Sequence, residues 1–228
     1  KLVPMMDDTS PLCAQLALAA LVNLCEYEDY ARGVVVKAGA MPRTMERVCA
    51  GLDSRENMEQ TANGVKLLAN LTRHHHGRQA VIGFHTDGTQ QRNAPLLKRL
   101  CDAFGLGGGA KDALTPLSLF FENVAAAPGG ANLLCAEEYD FMMLTVARQI
   151  ASADEGRRMG AAAAVKNCCF DRTVHDRISG HDEIAALICL PLVGERDGYD
   201  EDDIKEMPSG LQTKCRLGGK VTESEELR

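Results

Sequence analysis

Several features are absent or scarce in the sequence, and each absence disfavours a class of protein. The 228 residues include no tryptophan, and only 4% are aromatic, so a β-sandwich with an aromatic core is disfavoured. No apolar run approaches the ~20 residues that a membrane-spanning helix requires. The first ten residues, KLVPMMDDTS, lack the hydrophobic region of a signal peptide. We therefore expect no membrane association.

Cysteine occurs nine times, but in no pattern that indicates a site. The number is odd and no pair is spaced as Cys-x-x-Cys, so neither a disulfide framework nor a zinc knuckle is indicated. Most of the cysteines lie in apolar runs, where a free thiol packs as a small hydrophobic group. This usage is typical of a reducing compartment, and we expect a cytoplasmic protein.

Basic residues are outnumbered by acidic ones. The chain has 25 lysines and arginines against 32 aspartates and glutamates, which gives a formal net charge of -7. Sequence-independent binding to a phosphate backbone needs a face rich in lysine and arginine. Nucleic acid is therefore not expected as a partner.

Small and aliphatic residues are abundant, and 45% of the chain is hydrophobic. This favours helices packed through small side chains. Four apolar stretches each carry an asparagine, and these asparagines lie 47, 53 and 44 residues apart. HEAT and armadillo repeats have periods of roughly 40 to 47 residues. The stretches are LALAALVNLCEY (16–27), GVKLLANLTRHH (64–75), LSLFFENVAAAP (117–128) and AAAAVKNCCFDR (161–172).

Each stretch is predicted to be a helix. In the first, Leu16, Ala20 and Leu24 recur every four residues and Leu12 continues the series before the stretch. Further apolar residues widen this stripe until the helix is apolar nearly all round. Such a helix is expected to be buried between neighbours. The short β-branched segments GVVVKAG and AVIGF lie where the repeat requires helices, so we expect helices there as well.

Helix boundaries can also be located. Ser10-Pro11 and Thr115-Pro116 each place a hydroxyl at the N-cap and a proline at the first helical position. Gly39 is expected to end the helix that follows the first repeat stretch. These signals divide the chain into units of two or three helices.

A stack of such units buries a core that no unit can bury alone. We therefore predict an all-α protein, an armadillo/HEAT-like α-solenoid of about four repeats over residues 1–194. Residues 195–228 are expected to form an acidic helix and the beginning of a C-terminal region. Repeat arrays mostly present a long surface to other proteins. No catalytic, cofactor-binding or metal site is predicted.

The segment AVKNCCFDRTVH (164–175) looks reactive because it combines two cysteines and a histidine. On a helix the adjacent Cys168 and Cys169 point about 100° apart, so they are poorly placed to share one metal ion. The corresponding positions in the other stretches are apolar or small. We interpret the segment as the core helix of the last repeat, and a thiol-dependent or metal-dependent enzyme using His175 stays open as an alternative.

Two further segments invite a metal-site interpretation. Three consecutive histidines at 74–76 have no cluster of carboxylates or cysteines nearby in sequence, and we expect a solvated loop. The acidic segment DGYDEDDIKE (197–206) lacks the acid and glycine spacing of an EF-hand loop. It is predicted to form the acidic first turn of a helix, with contact to a partner as the functional alternative.

The four asparagines are the most informative polar residues. An amide in a largely apolar helix must find hydrogen-bond partners. One role is to bridge adjacent repeats, and the other is to clamp the backbone of a bound extended segment. Both roles stay open at this point. The asparagines are Asn23, Asn70, Asn123 and Asn167.

Three blocks carry a resemblance to a known family. They are LLANLTR (67–73), RRMGAAAAVKNCCFDRTVHDRI (157–178) and LICLPLVGERDGYDEDDIKEMPSGLQ (187–212). In this order they resemble an armadillo-type family of eukaryotes that was first named as an HMG homologue. That family includes the adaptor that assists folding of elongation factor 2.

The match is specific in the C-terminal third. The family's Arg-Asn-Cys-Cys-Phe helix has Lys166 in place of its arginine, and its Leu-Pro-x-x-Leu-Gln has Met207 in place of the first leucine. The family continues beyond Gln212 through another helical region, so the resemblance implies a truncated protein. The polar loops at 84–95 and 105–113 look like insertions.

The resemblance implies a non-enzymatic chaperone adaptor. It would bind newly synthesised elongation factor 2 and help deliver it to the cytosolic chaperonin and prefoldin. The alternative is a generic armadillo scaffold that binds extended peptides, such as a transport or assembly platform. In either case the residues predicted to bind protein are Asn23, Asn70, Arg73, Asn123, Lys166, Asn167 and His175.

Overall fold

The computed structural model describes residues 1–54, 58–83, 93–107, 112–189 and 199–212. These ranges contain helices and no strand, which confirms the all-α prediction. The helices are α1 Leu2–Met5, α2 Pro11–Tyr27, α3 Asp29–Lys37, α4 Ala40–Ser54, α5 Met58–Thr72, α6 His75–Ile82, α7 Ala94–Leu106, α8 Leu117–Ala125, α9 Gly130–Leu134, α10 Met142–Arg148, α11 Glu155–Cys169, α12 His175–Ser179, α13 Asp182–Cys189 and α14 Glu201–Glu206.

The helices repeat in groups of three. A short helix, a second helix and an asparagine-bearing helix follow one another as α3–α4–α5, then α6–α7–α8, then α9–α10–α11. The asparagine helices α2, α5, α8 and α11 each pack against the next, and so do α4, α7, α10 and α13 in a second layer. This stacking confirms the predicted α-solenoid.

The core runs through the whole stack. Buried apolar side chains from Val3 to Ile184 form one continuous cluster. It is mostly aliphatic, with Phe104 and Phe120 packed on either side of Phe121 at ring-centroid distances of 5.5 and 5.3 Å. Because the cluster crosses every unit boundary, each unit depends on its neighbours for burial.

Helix boundaries follow two of the three predicted signals. Ser10 caps α2 by accepting from the Cys13 amide, and Pro11 is at the first position of that helix. Gly39 has φ +80° just after α3, as its predicted role requires.

The Thr115-Pro116 prediction is wrong. Helix α8 begins at Leu117, and the Thr115 hydroxyl has no hydrogen-bond partner. The turn before α8 is closed by backbone bonds instead, because the Thr115 carbonyl accepts from the Ser118 amide at 3.0 Å. A local turn therefore uses the backbone of Thr115 and leaves its hydroxyl out of the cap.

The prediction that α2 is buried on all sides is wrong. Leu12, Leu16 and Leu24 are 64%, 60% and 46% exposed. The opposite side of α2 is buried against α5 and the elements next to it, while no described residue covers the leucines. The prediction failed because the apolar stripe was assigned a neighbour on both sides.

The three histidines do not form the predicted loop. His74 is the N-cap of α6, where its Nδ1 accepts from the His76 amide at 3.2 Å, and the next two histidines are helical. The predicted acidic helix is confirmed as α14, capped by Asp200 and Asp203 in a capping box. The division of the chain near residue 194 falls in 190–198, outside the described residues, and stays a prediction.

Candidate protein-binding surface

The asparagine amides link consecutive units. In α5, α8 and α11, the asparagine Nδ2 donates a hydrogen bond back to the preceding asparagine helix, at 3.1 to 3.3 Å. The bridging role therefore accounts for these amides, and their clamping role stays a prediction. The three bonds are Asn70 to the Val22 carbonyl, Asn123 to the Thr72 hydroxyl and Asn167 to the Glu122 carbonyl.

Asn23 differs from the other three. It is exposed, and no described residue hydrogen-bonds its side chain. It belongs to the first copy, and the described part of the chain has no asparagine helix before α2. Among the described residues, the inter-unit hydrogen bond of the other three asparagines therefore has no counterpart at Asn23.

Arg73 is exposed just after the end of α5, and it also joins two units. Its Nη1 donates to the Glu26 carbonyl at the end of α2, at 3.1 Å. A cation there interacts favourably with the negative end of the α2 dipole. The sequence pattern placed Arg73 on the binding surface but did not reveal this contact.

Two other arginines, missed by the sequence analysis, cap the C-terminal ends of α2 and α5. Arg32 donates to the Cys25 and Glu26 carbonyls at 2.7 and 2.6 Å. Arg78 donates to the Thr72 and Arg73 carbonyls at 3.3 and 3.1 Å. Each arginine is the fourth residue of the helix that follows an asparagine helix. This shared position was the signal from which the sequence could have revealed them.

The last repeat holds the remaining predicted residues. Lys166 is exposed on α11. His175 Nε2 donates to the Cys169 carbonyl at 2.7 Å, which ties the start of α12 to the end of α11. His175 is therefore engaged with backbone and not with a thiol.

The adjacent cysteines lie in different environments. Cys168 is fully buried and Cys169 is exposed. A hydrogen bond with Cys135 and burial raise the pKa of Cys168, and burial raises the pKa of Cys169. A raised pKa disfavours the thiolate that nucleophilic or metal chemistry requires. Across the described ranges, no three histidine, cysteine or acidic side chains are grouped so as to hold a metal ion.

One face of the asparagine helices is open. The positions four residues before and three residues after each asparagine lie on the same side of a helix as the asparagine itself. At these positions the exposed residues of the first two asparagine helices and their ends are charged, whereas those of the last two are apolar or small. We call this set the ladder face, and it consists of Ala19, Glu26, Lys66, Arg73, Leu119, Ala126, Ala163 and Phe170.

Leu119 and Phe170 dominate the apolar half of the ladder face. They are 52% and 78% exposed. Met159, which is 47% exposed on α11, extends the apolar area towards the start of that helix. An exposed area of this kind can hold apolar side chains of another protein, while neighbouring Lys166 offers a positive charge.

Arg157 could be mistaken for a binding residue because it is charged, but its role here is structural. It is fully buried, and its guanidinium lies 4.4 Å from the ring centroid of Phe104. It donates to the Phe104 carbonyl at 2.6 Å, to Gln149 at 2.9 Å and to the Asp112 carboxylate at 2.5 Å. The arginine therefore joins the unit α6–α7–α8 to the unit α9–α10–α11.

This stack of three-helix units resembles solved repeat proteins. One is among computationally designed armadillo repeat proteins for modular peptide recognition, with a TM-score of 0.65, 16% identity and coverage of 99% of this chain and 93% of that one. Another, a designed armadillo repeat protein in complex with the peptide (KR)4, has a TM-score of 0.57, 13% identity and coverage of 99% and 93%. The chain is thus an armadillo-type repeat protein.

Within that class the chain belongs to the family described as a domain of unknown function, DUF383, whose model matches residues 50–220. A protein HGH1 homolog of Drosophila pseudoobscura pseudoobscura is 30% identical over 203 residues, which are 86% of this chain and 53% of that protein. A protein HGH1 homolog of Dictyostelium discoideum is 22% identical over 208 residues, 89% of this chain and 55% of that protein.

These matches confirm the family resemblance drawn from the sequence blocks. The chain spans about half the length of the curated relatives. Of the blocks, 157–178 covers α11 and α12, while the Leu-Pro-Leu-x-Gly motif at 190–194 lies outside the described residues. The described helices are all too short or too polar to span a bilayer.

Proposed function

We propose that this chain is a non-enzymatic chaperone adaptor that binds newly synthesised elongation factor 2 in the cytoplasm. It would help to deliver that client to the cytosolic chaperonin and prefoldin. The observation that carries the proposal is an open ladder face with an apolar half, on an array of the family to which the adaptor resemblance points.

The physics of such a client fits this surface. A newly made multidomain protein exposes apolar segments that its folded state buries, and these segments cause aggregation. Leu119 and Phe170 offer apolar contact area, and the stacked helices hold both at fixed positions. Many modest contacts on a rigid array allow capture and later release, because no single contact dominates the affinity.

The experiment is capture of elongation factor 2 during its synthesis. The tagged chain is added to a cell-free translation of elongation factor 2, and bound nascent protein is measured. We expect capture by the wild type and at least about tenfold less by the double variant Leu119→Asp/Phe170→Asp, since the charges oppose burial of apolar segments. The matched control is Leu106→Asp, which replaces a leucine that is 91% exposed on α7.

Specificity and partner recruitment complete the experiment. Equal capture of an unrelated nascent multidomain protein, or no capture of elongation factor 2, would contradict the proposal. Chaperonin and prefoldin subunits are sought in the same eluates by mass spectrometry. Their recovery is expected with the wild type and with Leu106→Asp.

A generic scaffold for extended peptides is the second candidate. It is supported by the fold shared with designed armadillo proteins and by exposed Asn23, whose side chain no described residue hydrogen-bonds. Asn70, Asn123 and Asn167 already donate to neighbouring helices, which leaves less of their side chains for a peptide. Capture of many unrelated extended peptides, abolished by Asn23→Ala, would favour this candidate.

A further inference from the structure

The ladder face is exposed in the middle of the array as well as at its ends. The position three residues after the asparagine is exposed in all four copies. Helices α5 and α8 each have an asparagine helix packed on either side, and their four ladder positions are exposed all the same. The exposure of this face therefore belongs to every unit and does not arise from a missing neighbouring unit. The four positions are Lys66, Arg73, Leu119 and Ala126.

The cations of the second layer are paired within the protein. Every lysine and arginine of α4, α7 and α10 forms an ion pair with a carboxylate. This pairing leaves little of their charge to attract a ligand. The pairs are Arg43 and Arg47 with Asp7, Lys98 with Asp102, Arg99 with Asp53, and Arg148 with Glu183.

The cations of the ladder face are not paired in this way. Lys66 has no hydrogen bond or ion pair with any described residue, and among these residues Arg73 donates only to the Glu26 carbonyl. The acids nearest in the repeat pattern are Glu26 in the first copy and half-buried Glu122 in the third. Neither carboxylate forms an ion pair with a described residue. A chain with a net charge of -7 therefore keeps two cations on one side of α5 without a carboxylate partner among the described residues.

We propose that the ladder face binds an extended segment in which an acidic residue lies close to apolar ones. The acidic side chain contacts Lys66 and Arg73 of the α5 copy, and the apolar side chains contact Leu119 of α8 and Phe170 at the end of α11. Opposite charges across an interface favour the correct partner, and like charges exclude the wrong one. This chemistry refines the proposed function, on which it rests, because the same face would hold the client.

The repeat sets the spacing of the residues that are recognised. Lys66 and Leu119 occupy the same position of consecutive asparagine helices, four residues before the asparagine. Packed helices lie about 8 to 10 Å apart, and an extended chain advances about 3.3 Å per residue. An acidic and an apolar residue that are about two to three residues apart can therefore contact both side chains at once.

Binding of short peptides to the 228-residue chain tests this selectivity. The probe is a fluorescein-labelled peptide in which a pair of glutamates is separated by two residues from a leucine and a phenylalanine. A second peptide has lysines in place of the glutamates. Each peptide is made with the charged pair at either end, so that both directions of binding are sampled. By fluorescence anisotropy, the better glutamate peptide should bind at least about tenfold more tightly than either lysine peptide, and added salt should weaken it.

Lys66→Glu is the informative variant, because Lys66 contacts no described residue and its replacement should leave the fold intact. The variant should weaken binding of the glutamate peptide about fivefold and strengthen binding of the lysine peptide, since an attraction becomes a repulsion. The matched control is Lys37→Glu, which makes the same change at the exposed end of α3, outside the ladder face. Lys37 also has no ion pair with a described residue, and its replacement should leave both affinities unchanged.

A second variant tests the apolar contacts. Leu119→Ser/Phe170→Ser changes no charge and should weaken binding of both kinds of peptide at least about tenfold, because it removes apolar area that the peptide covers. Both side chains are largely exposed, so the fold should persist. Circular dichroism melting checks that every variant is folded.

Three outcomes would overturn the inference: equal affinity for the two kinds of peptide, binding of neither, or a Lys66→Glu variant that behaves like Lys37→Glu. They are distinct from failure of the adaptor function. Capture of nascent elongation factor 2 without charge selectivity would leave the adaptor proposal standing and remove this one. Charge-selective peptide binding without capture of elongation factor 2 would do the reverse.

Discussion

At the scale of single residues, partly or fully buried polar groups bridge the boundaries between units. The asparagine amides of copies two to four and the guanidinium of Arg157 all bond to atoms of another unit. A polar group in such a place must be paired, since an unpaired one loses its hydration without compensation. These residues therefore align adjacent units as well as stabilising them.

Replacing Asn167 by alanine tests the alignment role. The change removes the bond to the Glu122 carbonyl and should lower the free energy of unfolding by about 1 kcal/mol. Asn23→Ala is the matched control, because Asn23 is exposed and no described residue bonds its side chain, and it should leave stability nearly unchanged. Urea denaturation measures the free energy of unfolding of both variants. Equal losses of stability for the two variants would argue against the alignment role of Asn167.

Arg157→Met should have a larger effect. The methionine keeps much of the side-chain volume but leaves the Asp112 carboxylate and the Gln149 amide oxygen without the guanidinium. Removing one partner of a buried ion pair costs about 3 kcal/mol or more. Arg172→Met, at an exposed arginine, should change the unfolding free energy little. Thermal and urea unfolding compare the two, and similar stability would contradict the role given to Arg157.

At the scale of the element, helix ends combine side-chain and backbone caps in ways that local patterns reveal only partly. Ser10, Gly39 and the acidic residues of α14 act as their sequence positions indicate. His74 is different, because an imidazole is an unusual N-cap and no capping pattern marks it. Its position is set by contact with α3, where its Nε2 would lie 3.1 Å from a Cβ at Gly33.

The α6 cap makes stability depend on pH. Burial lowers the pKa of His74 below its usual value; Asp29 opposes this shift, whereas His75, His76 and Arg78 add to it. Below a pH of about 6.5 the unfolded chain therefore takes up a proton that the folded chain binds only at lower pH. The unfolding free energy should fall as the pH drops through this range.

His74→Asn isolates this effect. Asparagine keeps an N-cap acceptor but does not titrate, so the variant should show a weaker loss of stability between pH 7 and pH 5 than the wild type, about the range over which a free imidazole titrates. His75→Asn, at the exposed neighbour, is the control. Urea unfolding across this range gives both slopes, and identical slopes for wild type and His74→Asn would refute the assignment.

At the scale of the whole molecule, the stack leaves one face of the asparagine helices open to solvent. The ladder face combines charged residues in the first two copies with Leu119 and Phe170 in the last two. The array therefore offers one long surface, along which we propose that the client binds.

Much of this architecture was predictable from the sequence. The spacing of the asparagines and the apolar helical stretches determined an all-α solenoid, because helices that cannot bury their apolar sides alone must stack. The three sequence blocks, two of which lie in the C-terminal third, indicated the family. The caps at Ser10 and Gly39 could be predicted because capping depends on only a few neighbouring residues.

Only the tertiary structure decided which apolar residues are covered and which amides are used. Leu24 and Leu71 occupy the same position in the repeat, yet one is exposed and the other fully buried. Local sequence cannot distinguish them, because burial depends on the presence of a neighbouring unit and not on the helix itself. The partners of Asn167 and Arg157 lie 45 to 53 residues away or across a turn of the chain. Those contacts exist only once the units have stacked.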